Sequence, residues 1–251
     1  MFEIDEISHL LKVDTDLTIA EIEKRLNPLG FTLGYFSPPN NEILLEEALS
    51  HHRVNAYGLL YGSLSELCVA LQWETHHEEV MSTKIVPRKA TGPDWKGMIL
   101  GTGRKLGLIY QAVLKIFPHP LHLAHTLISL STLEDSFPLE REMTRKELIP
   151  RSFARYSKAE GGRKLPLKGD FFLLLEWAGS ADRVRSLRHE AETILRRKKQ
   201  PFQTLEDPQH LRMASKLLKL TLPQRPWGGG VALKEDPEAK NLEKEILEVL
   251  R

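Results

Sequence analysis

Three glycines, at positions 101, 103 and 107, lie in the short stretch GTGRKLG, and the apolar segment LIYQAVLKIFP follows it directly. Because glycine has no Cβ, main-chain N–H and C=O groups at such positions can come close to a nucleotide. Arg104 and Lys105 lie in the same stretch and are able to contact phosphate, although a solvated charge on a turn is the commoner outcome. This stretch is therefore the first candidate for a turn that contacts a ligand.

Three histidines in the stretch HPLHLAH, namely His119, His122 and His125, are spaced three residues apart. On a helix this spacing could bring two of them to one face as metal ligands. Pro118 and Pro120 and the strand-like pattern that follows argue against a helix, and no acidic residue lies nearby. We expect no metal site in this stretch.

Other candidates for chemistry are weaker. Cys68, the single cysteine, lies in the apolar run LCVALQW, where a buried and inert thiol is expected, and a chain without disulfides is typical of a reducing compartment. The stretch PWGGGVA at 226–232 lacks the preceding strand and capped helix of a dinucleotide fingerprint. A Ser-His-Asp set, a paired-cysteine motif and HExxH are all absent from the sequence, so nothing favours a hydrolase.

Composition excludes some partners. The 251 residues contain 35 Lys plus Arg and 34 Asp plus Glu, for a formal charge of +1, so no overall field attracts nucleic acid. The N-terminus MFEIDEISHLLKVD has no basic segment followed by an apolar one, and no apolar run approaches the roughly 18 residues that a membrane span needs. We expect a cytoplasmic protein without a membrane span.

Several elements are predicted before residue 120. In DLTIAEIEKRLNPLG, Thr18 and Glu21 form a capping box ahead of a helix that Pro28 and Gly30 end. Strands are predicted at HLLKVD and at KLGLIYQAVLKIFP, and a short helix at EILLEEALSHHR. FTLGYFSPPNNE is predicted to be extended and rich in turns, and ELCVALQWETHHEEVMSTKIVP to be a hairpin whose tip carries THHEE.

The pattern changes after Pro118 and Pro120, which offer a domain boundary. AHTLISLST and DFFLLLEWAG are predicted strands, and LEREMTRKELIPRSFARYSKAEGGRK is predicted to be a helix followed by a loop. Ser180 is the expected N-cap of the long helix SADRVRSLRHEAETILRRKKQ, and EDPEAKNLEKEILEVLR is a predicted amphipathic helix. This order predicts an α+β fold with an antiparallel sheet.

Three stretches in the first half carry a resemblance to a known family: VDTDLTIAEIEKRLNPLGFTLGYFSPP, then YGSLSELCVALQWE, then RKATGPDWKGMILGTGRKLGLIYQAVLKIFPHP. Together, over about residues 3–120, they resemble the vanillyl-alcohol oxidase, or PCMH-type, FAD-binding family. Within it they are most similar to glycolate and D-lactate oxidase flavin subunits and to alkyldihydroxyacetonephosphate synthase. Several motifs in the family's order are more specific than any one of them.

The resemblance implies an α+β fold: the second half of a PCMH-type FAD-binding domain at 1–120, followed at 121–251 by a ferredoxin-like cap domain that covers the flavin and forms the substrate pocket. It also implies that the turn before Gly107 runs against FAD. The residues that match cofactor-contacting positions are Pro38, Pro39, Asn40, Tyr61, Gly62, Gly101, Arg104, Gly107, Leu108 and Ile109. No catalytic residue is assigned by the motifs.

Departures from the family pattern lower the expected affinity for FAD. The family's main pyrophosphate loop belongs to a subdomain that precedes the matched region. The family's glycine-containing STIGG-IATNASG segment is replaced by NEILLEEALSHHRVNAYG, in which Glu46 and Glu47 would repel a diphosphate. GTGRKLGLIY also lacks the acidic residue and the final Thr of the family's GSEGTLGVIT. We therefore expect FAD binding to be weakened or lost.

Two functions follow as hypotheses. The first is an accessory, degenerate flavoprotein-like subunit of a glycolate or lactate oxidase type of complex, beside a full-length FAD oxidase-type subunit and with an iron–sulfur protein as a candidate third component. The second is an active FAD-dependent oxidoreductase of a 2-hydroxy acid, with FAD held partly by a partner chain. The second requires a base near the substrate, commonly His or Tyr, and the sequence does not locate one.

Overall fold

The computed structural model describes residues 1–36, 42–86, 93–157 and 167–205. Pro38, Pro39 and Asn40, the PWGGGVA stretch and the predicted C-terminal helix lie outside these ranges.

The described residues form strands and helices. In chain order, the strands are β1 (Phe2–Asp5), β2 (Leu10–Asp14), β3 (Phe31–Thr32), β4 (Cys68–Glu74), β5 (Val80–Ser82), β6 (Leu108–Lys115), β7 (Phe117–Pro118), β8 (His122–Leu130), β9 (Ser152–Ser157), β10 (Phe171–Gly179) and β11 (Phe202–Leu205). The α-helices are α1 (Ile19–Leu26), α2 (Leu45–Ser50), α3 (Gly58–Tyr61), α4 (Leu64–Leu67), α5 (Trp95–Ile99), α6 (Ser136–Arg145) and α7 (Ala181–Arg197).

The first large sheet has the strand order β1-β2-β6-β4-β5, and every neighbouring pair is antiparallel. Its buried apolar side chains pack with those of α1 and α2 in one core. A separate pair, β3 and β7, is also antiparallel. The hairpin predicted around THHEE is confirmed as β4 and β5, and His76 and His77 are both exposed at its tip.

Helix α1 begins as the capping box predicts. The Thr18 hydroxyl accepts a hydrogen bond from the Glu21 N–H, and the Glu21 carboxylate accepts one from the Thr18 N–H. Ile19, Ile22 and Leu26 are fully buried on one face, which anchors the helix in the core. After Leu26 a single 3-10 turn, Asn27–Leu29, ends at Gly30 in the left-handed conformation.

The second large sheet has the strand order β11-β8-β10-β9, again entirely antiparallel. Because side chains alternate along a strand, β10 places Leu173, Leu175 and Trp177 on one face and Leu174 and Glu176 on the other. The first face packs against α6 and α7. In the described ranges the second face does not pack against α6 or α7, and we call it the helix-free face in this sense. It carries a smaller apolar cluster and the polar groups described below.

The mixed α/β fold with antiparallel sheets is confirmed, and two local predictions are corrected. The loop predicted after α6 contains strand β9, which the sequence hides because Ser152, Arg155 and Ser157 interrupt its apolar alternation. Strand β1 and the short helices α3, α4 and α5 were not predicted. The domain boundary near residue 120 stays a prediction.

No helix in the described ranges is suited to crossing a bilayer. The longest of them, α7, has 17 residues, many of them charged.

Candidate functional site

The glycine-rich turn 101–107 lies against α2. The Gly101 N–H donates to the Leu49 carbonyl at 3.0 Å, and the Gly103 N–H donates to the Ser50 carbonyl at 2.8 Å. Backbone N–H groups that already have a partner are not available to a phosphate. The amides of these two glycines therefore hold the turn against the end of α2.

Arg104 holds the same turn through a buried carboxylate. Its Nε donates to both Glu46 oxygens, at 3.0 and 2.9 Å, and its guanidinium makes a further contact with Oε2. The Ser50 hydroxyl donates to Glu46 Oε1 at 2.6 Å. Burial alone would raise the pKa of the Glu46 carboxyl, but the hydrogen bonds from Arg104 and Ser50 and the Arg104 charge outweigh it and lower the pKa.

This arrangement bears on two expectations. Arg104 pairs with Glu46 while half of its side chain stays exposed, and a contact between Arg104 and a phosphate stays a prediction. Glu46 does not present a bare negative charge, and Glu47 pairs with Arg53 at 2.8 Å. Repulsion of a diphosphate by these two carboxylates is therefore largely neutralised within the chain.

The structure explains why position 107 is a glycine. At φ +127°, a Cβ on Gly107 would lie 2.1 Å from the main-chain oxygen of Glu74. Leu108 is the register partner of Glu74 and is exposed, whereas Ile109 is buried and its carbonyl accepts from the Thr15 hydroxyl at 2.6 Å. Gly107 therefore allows the turn to approach strand β4 closely, and the predicted approach of the turn to FAD stays a prediction.

Tyr61 and Gly62 lie at the end of α3. The contacts described next join them to residues outside the turn 101–107. The Tyr61 ring packs on Phe117, with centroids 4.8 Å apart. The Gly62 carbonyl accepts from Asn55 Nδ2 at 2.8 Å, and the same amide donates to the Gly34 carbonyl at 2.9 Å. Asn55, which was not a predicted site residue, thus fixes the segment that carries Tyr61.

The turn 101–107 does not fit a pyrophosphate. Its Gly101 and Gly103 amides and the Arg104 guanidinium all have partners within the chain, and Gly107 faces a carbonyl oxygen. Phosphate sites depend instead on backbone N–H groups and cations that point at the ligand. Of the predicted cofactor contacts, the structure brings 101–109 together as one compact region, and Tyr61 and Gly62 as another.

A second polar cluster connects the second large sheet to the start of α3. On the helix-free face, Glu176 accepts from His125 Nε2 at 3.0 Å through Oε2 and from Arg151 Nε through Oε1. The guanidinium of Arg151 also lies over the ring of Tyr57, 4.2 Å from its centroid. Arg151 therefore connects the sheet that carries Glu176 to α3 and its neighbours.

Glu176 is ionised in this cluster. Burial disfavours its charged form, but the hydrogen bond from His125 and the charge of Arg151 outweigh that effect and lower the pKa of the carboxyl. Burial raises the pKa of Tyr57 and of Tyr61, with Glu176 contributing in the same direction. Perturbed titratable groups that gather between structural units are typical of functional sites.

Three buried polar atoms within the described ranges have no hydrogen-bond partner: His125 Nδ1, Ser152 Oγ and Tyr156 Oη. Ser152 and His125 are the register partners of Glu176 on either side, so all three side chains lie in one row across β8, β10 and β9. We call His125, Glu176 and Ser152 the polar row. Tyr156 lies on the same face, four residues along β9 from Ser152.

Sequence reasoning missed this cluster. His125 was considered only as a metal ligand beside His119 and His122, yet His122 and His125 are on opposite faces of β8. In the described ranges no group of three or more His, Cys, Asp or Glu side chains could hold a metal ion. The available signal was Glu176 itself, a charge inside the apolar run FFLLLEWAG, because a buried charge requires a partner.

Cys68 is buried, as predicted, and burial raises the pKa of its thiol to about 12. A thiol of this kind stays protonated at neutral pH and is a poor nucleophile.

Comparison with known proteins gives curated relatives of low identity and a shared fold. No family model matches the chain. The uncharacterized FAD-linked oxidoreductase YgcU of Escherichia coli strain K12 is 29% identical over 143 residues, which are 56% of this chain and 29% of that protein. Alkyldihydroxyacetonephosphate synthase of Caenorhabditis elegans is 27% identical over 117 residues, 47% of this chain and 20% of that protein.

Two solved structures of alkyldihydroxyacetonephosphate synthase match the fold. One has a TM-score of 0.72 at 16% identity and the other 0.71 at 17%, and each match covers 87% of this chain. The chain spans less than half of those structures, at 44% and 45%, and less than a third of the curated relatives. The resemblance to FAD-linked oxidases predicted from the motifs is confirmed: this chain is similar in sequence to an FAD-linked oxidoreductase and to alkyldihydroxyacetonephosphate synthase, and it shares the fold of the latter.

Proposed function

We propose that this chain is an FAD-linked oxidase-like subunit, of the glycolate or lactate oxidase type, that acts beside a complete FAD oxidase-type chain. The observation that carries the proposal is the closed turn 101–107, in which Arg104 is paired with Glu46 and the glycine amides are bonded to α2. One relative, YgcU, is named an FAD-linked oxidoreductase, so a flavin is the expected cofactor of the complex. Its phosphates would be held mainly by residues other than this turn.

The proposal also gives each half of the chain a domain type. Residues 1–120 would form part of a PCMH-type FAD-binding domain, and the segment after residue 120 a ferredoxin-like cap. The second assignment is supported by the chain order β8-α6-β9-β10-α7-β11 and the sheet order β11-β8-β10-β9, which follow the ferredoxin-like pattern. An iron–sulfur protein is a candidate third component of such a complex.

A second candidate function is an active FAD-dependent oxidoreductase of a 2-hydroxy acid, with FAD held partly by a partner chain. The buried cluster of Arg151, Glu176 and His125 favours it, since a charged cluster that only stabilised the fold would have no reason to leave His125 Nδ1 without a partner. In the complex, FAD would supply the oxidising power. The present chain would supply orientation and polar groups.

One experiment separates the two candidates. The full chain is purified alone, mixed with FAD and separated from free flavin by gel filtration, and its visible absorbance is recorded. The accessory role predicts a colourless protein that retains no FAD, together with a tagged form that co-purifies with a flavin-containing chain. Flavin bands that co-elute with the chain alone, and that bleach when glycolate or D-lactate is added without oxygen, would instead establish the second function.

A further inference from the structure

Positive charge is concentrated where the end of α7 meets α6. The Glu142 carboxylate of α6 contacts the guanidinium of Arg197 and lies 2.9 Å from Lys198 Nζ, both at the end of α7. Residues 142–147 and 192–199 contain six Lys and Arg residues against three Glu residues, whereas the whole chain has a formal charge of only +1. We call these two ranges the basic end, and its cations are Arg145, Lys146, Arg196, Arg197, Lys198 and Lys199.

The backbone that carries these cations is fixed. Ile194 and Leu195 are buried in the core beneath α7. The Gln200 N–H donates to the Leu195 carbonyl at 3.0 Å, and the Lys199 N–H donates to the Arg196 carbonyl at 3.0 Å, which is the hydrogen-bond pattern of a Schellman motif. Lys199 has φ +53°, in the left-handed conformation where glycine is the usual residue. The chain therefore holds a lysine at a position that a glycine would fill with less strain.

Helix α6 ends in the same motif with the opposite charge. The Leu148 N–H donates to the Met143 carbonyl at 2.9 Å, and the Glu147 N–H donates to the Thr144 carbonyl at 3.0 Å. Glu147 has φ +59° and so occupies the position in α6 that Lys199 occupies in α7. The two residues form a natural pair for separating the effect of charge from the effect of backbone strain.

Glu142 balances only part of the charge around it. The pKa of its carboxyl is lowered by the hydrogen bond from Lys198, and also by the charges of Lys198, Arg197 and Lys146. Glu142 is therefore ionised, and three cations share its single negative charge. The helix dipole favours cations near a helix C-terminus, but neighbouring like charges repel one another. An anion from outside the chain would offset this repulsion.

Arg196 is the most available of these cations with a measured ion pair. Its side chain is 73% exposed and lies 3.9 Å from Glu192, a long distance for an ion pair. The same Glu192 carboxylate lies 3.6 Å from Arg188 and accepts from the Thr204 hydroxyl at 2.8 Å. Arg196 therefore has only a weak hold on a carboxylate that other groups share.

The composition of the basic end favours protein carboxylates as the anion. Among the described residues, none of the large exposed apolar side chains lies in these two ranges, whereas a helix that binds a bilayer carries such side chains. The interspersed carboxylates would repel the continuous row of phosphates on a nucleic acid. A protein surface instead places separate carboxylates beside separate cations, as Glu142 already lies beside Arg197 and Lys198.

We infer that the basic end, at the last turns of α6 and α7, is a docking surface for an acidic surface of a partner protein. Such docking requires no flavin in the partner and does not depend on the turn 101–107. It can therefore be tested separately from the proposed function.

The first experiment titrates the full chain, at low salt, into fluorescently labelled poly-L-glutamate, labelled duplex DNA and vesicles that contain phosphatidylserine. We expect saturable binding of poly-L-glutamate that weakens as salt is added, because the contacts are exposed. Failure to bind poly-L-glutamate, or tighter binding of the DNA or the vesicles, would overturn the inference. A dimer of the chain alone that Arg196→Glu separates would also overturn it, since the occupant would then be a second copy.

Two charge reversals on α7 test whether binding is local. Arg196 and Arg185 are both exposed, at 73% and 75%, and each has a long ion pair with an acidic neighbour on the same helix. Arg196→Glu should bind poly-L-glutamate about 5- to 10-fold more weakly, whereas Arg185→Glu, near the other end of α7, should weaken binding less than about 2-fold. Equal losses would mean that only net charge matters and would overturn a docking surface at the basic end.

A second pair of variants separates binding from stability. Lys199→Gly and Glu147→Gly each replace a charged residue in the left-handed conformation, so both should unfold at higher urea concentrations than the unaltered chain. Lys199→Gly should nevertheless bind poly-L-glutamate about 2- to 5-fold more weakly, and Glu147→Gly should bind it at least as tightly as the unaltered chain. The same affinity in both variants would overturn the inference.

Discussion

The turn 101–107 and the polar row differ in how their polar groups are satisfied. In the turn, the Gly101 and Gly103 amides, the Arg104 guanidinium and the Glu46 carboxylate all bond within the chain. On the helix-free face of the second sheet, His125 and Ser152 each keep a buried polar atom without a partner. A polar group that is satisfied internally contributes to stability, whereas an unsatisfied one is available to a ligand. The sequence motif and the available polar atoms therefore point to different parts of the molecule.

The largest expected effect is at Gly107. In Gly107→Ala, the new Cβ would lie 2.1 Å from the Glu74 carbonyl oxygen at a φ of +127°, and both strands would have to move. We expect a loss of about 4 kcal/mol in the free energy of unfolding, measured by urea denaturation. The matched control is Gly103→Ala, where the nearest atom is 3.9 Å away and the cost should be about 1–2 kcal/mol. Similar losses in both variants would contradict the structural role of Gly107.

Arg151→Met should have the next largest effect, because it leaves Glu176 buried without its main cation. Removing one partner of a buried ion pair costs about 3–5 kcal/mol, and we expect about 3 kcal/mol in urea denaturation. Arg53→Met breaks an exposed pair with Glu47 and should cost less than about 1 kcal/mol. If the two variants lost the same stability, the pair of Arg151 and Glu176 would not be the buried ion pair described above.

Glu176→Gln should lower stability by about 2 kcal/mol at pH 7, since hydrogen bonds to a charged group are lost. The pKa of Glu176 is lowered on folding, so its stabilisation is present above the unfolded-state pKa of about 4.3 and is lost as the pH falls through the folded-state pKa. The variant should therefore lose less stability than the unaltered chain between pH 7 and pH values below about 4. Glu3→Gln, at an exposed position of β1, is the control. An acid transition as steep in Glu176→Gln as in the unaltered chain would contradict an ionised Glu176.

The smallest expected effect is the difference in stability loss between two serine variants. Ser50→Ala removes a hydroxyl that donates to buried Glu46 at 2.6 Å, and it should cost about 1–2 kcal/mol. Ser152→Ala removes a buried hydroxyl without a partner and should change stability by less than about 0.5 kcal/mol, or raise it. Urea denaturation of both variants measures the difference. A cost at Ser152 as large as at Ser50 would mean that Ser152 has a partner within the protein.

Local signals in the sequence predict much of the fold. The Thr18 and Glu21 pair marks the start of α1, and Ser180 accepts from the Arg183 N–H at the start of α7 as an N-cap should. Strand β10 follows from its apolar run. Strand β9 was missed because Ser152, Arg155 and Ser157 interrupt the apolar pattern that marks a strand.

The polar row is harder to predict, because its contacts join residues that are far apart in the chain. His125 and Glu176 are 51 residues apart and Arg151 and Glu176 are 25 apart, so only strand pairing brings them together. The sequence predicts a close approach of the turn 101–107 to FAD, which stays a prediction, whereas the structure shows a close approach to the chain itself. What the turn approaches, α2 and β4, depends on tertiary packing that no local motif encodes.

The most direct test of the closed turn is the amide ¹⁵N spectrum of the full chain during a titration with FAD, with attention to Gly101 and Gly103. If the turn is closed by its contacts with Leu49 and Ser50, both amide resonances should stay in place at all FAD concentrations. A saturable shift of these two amides would place the cofactor against the turn and contradict its closure.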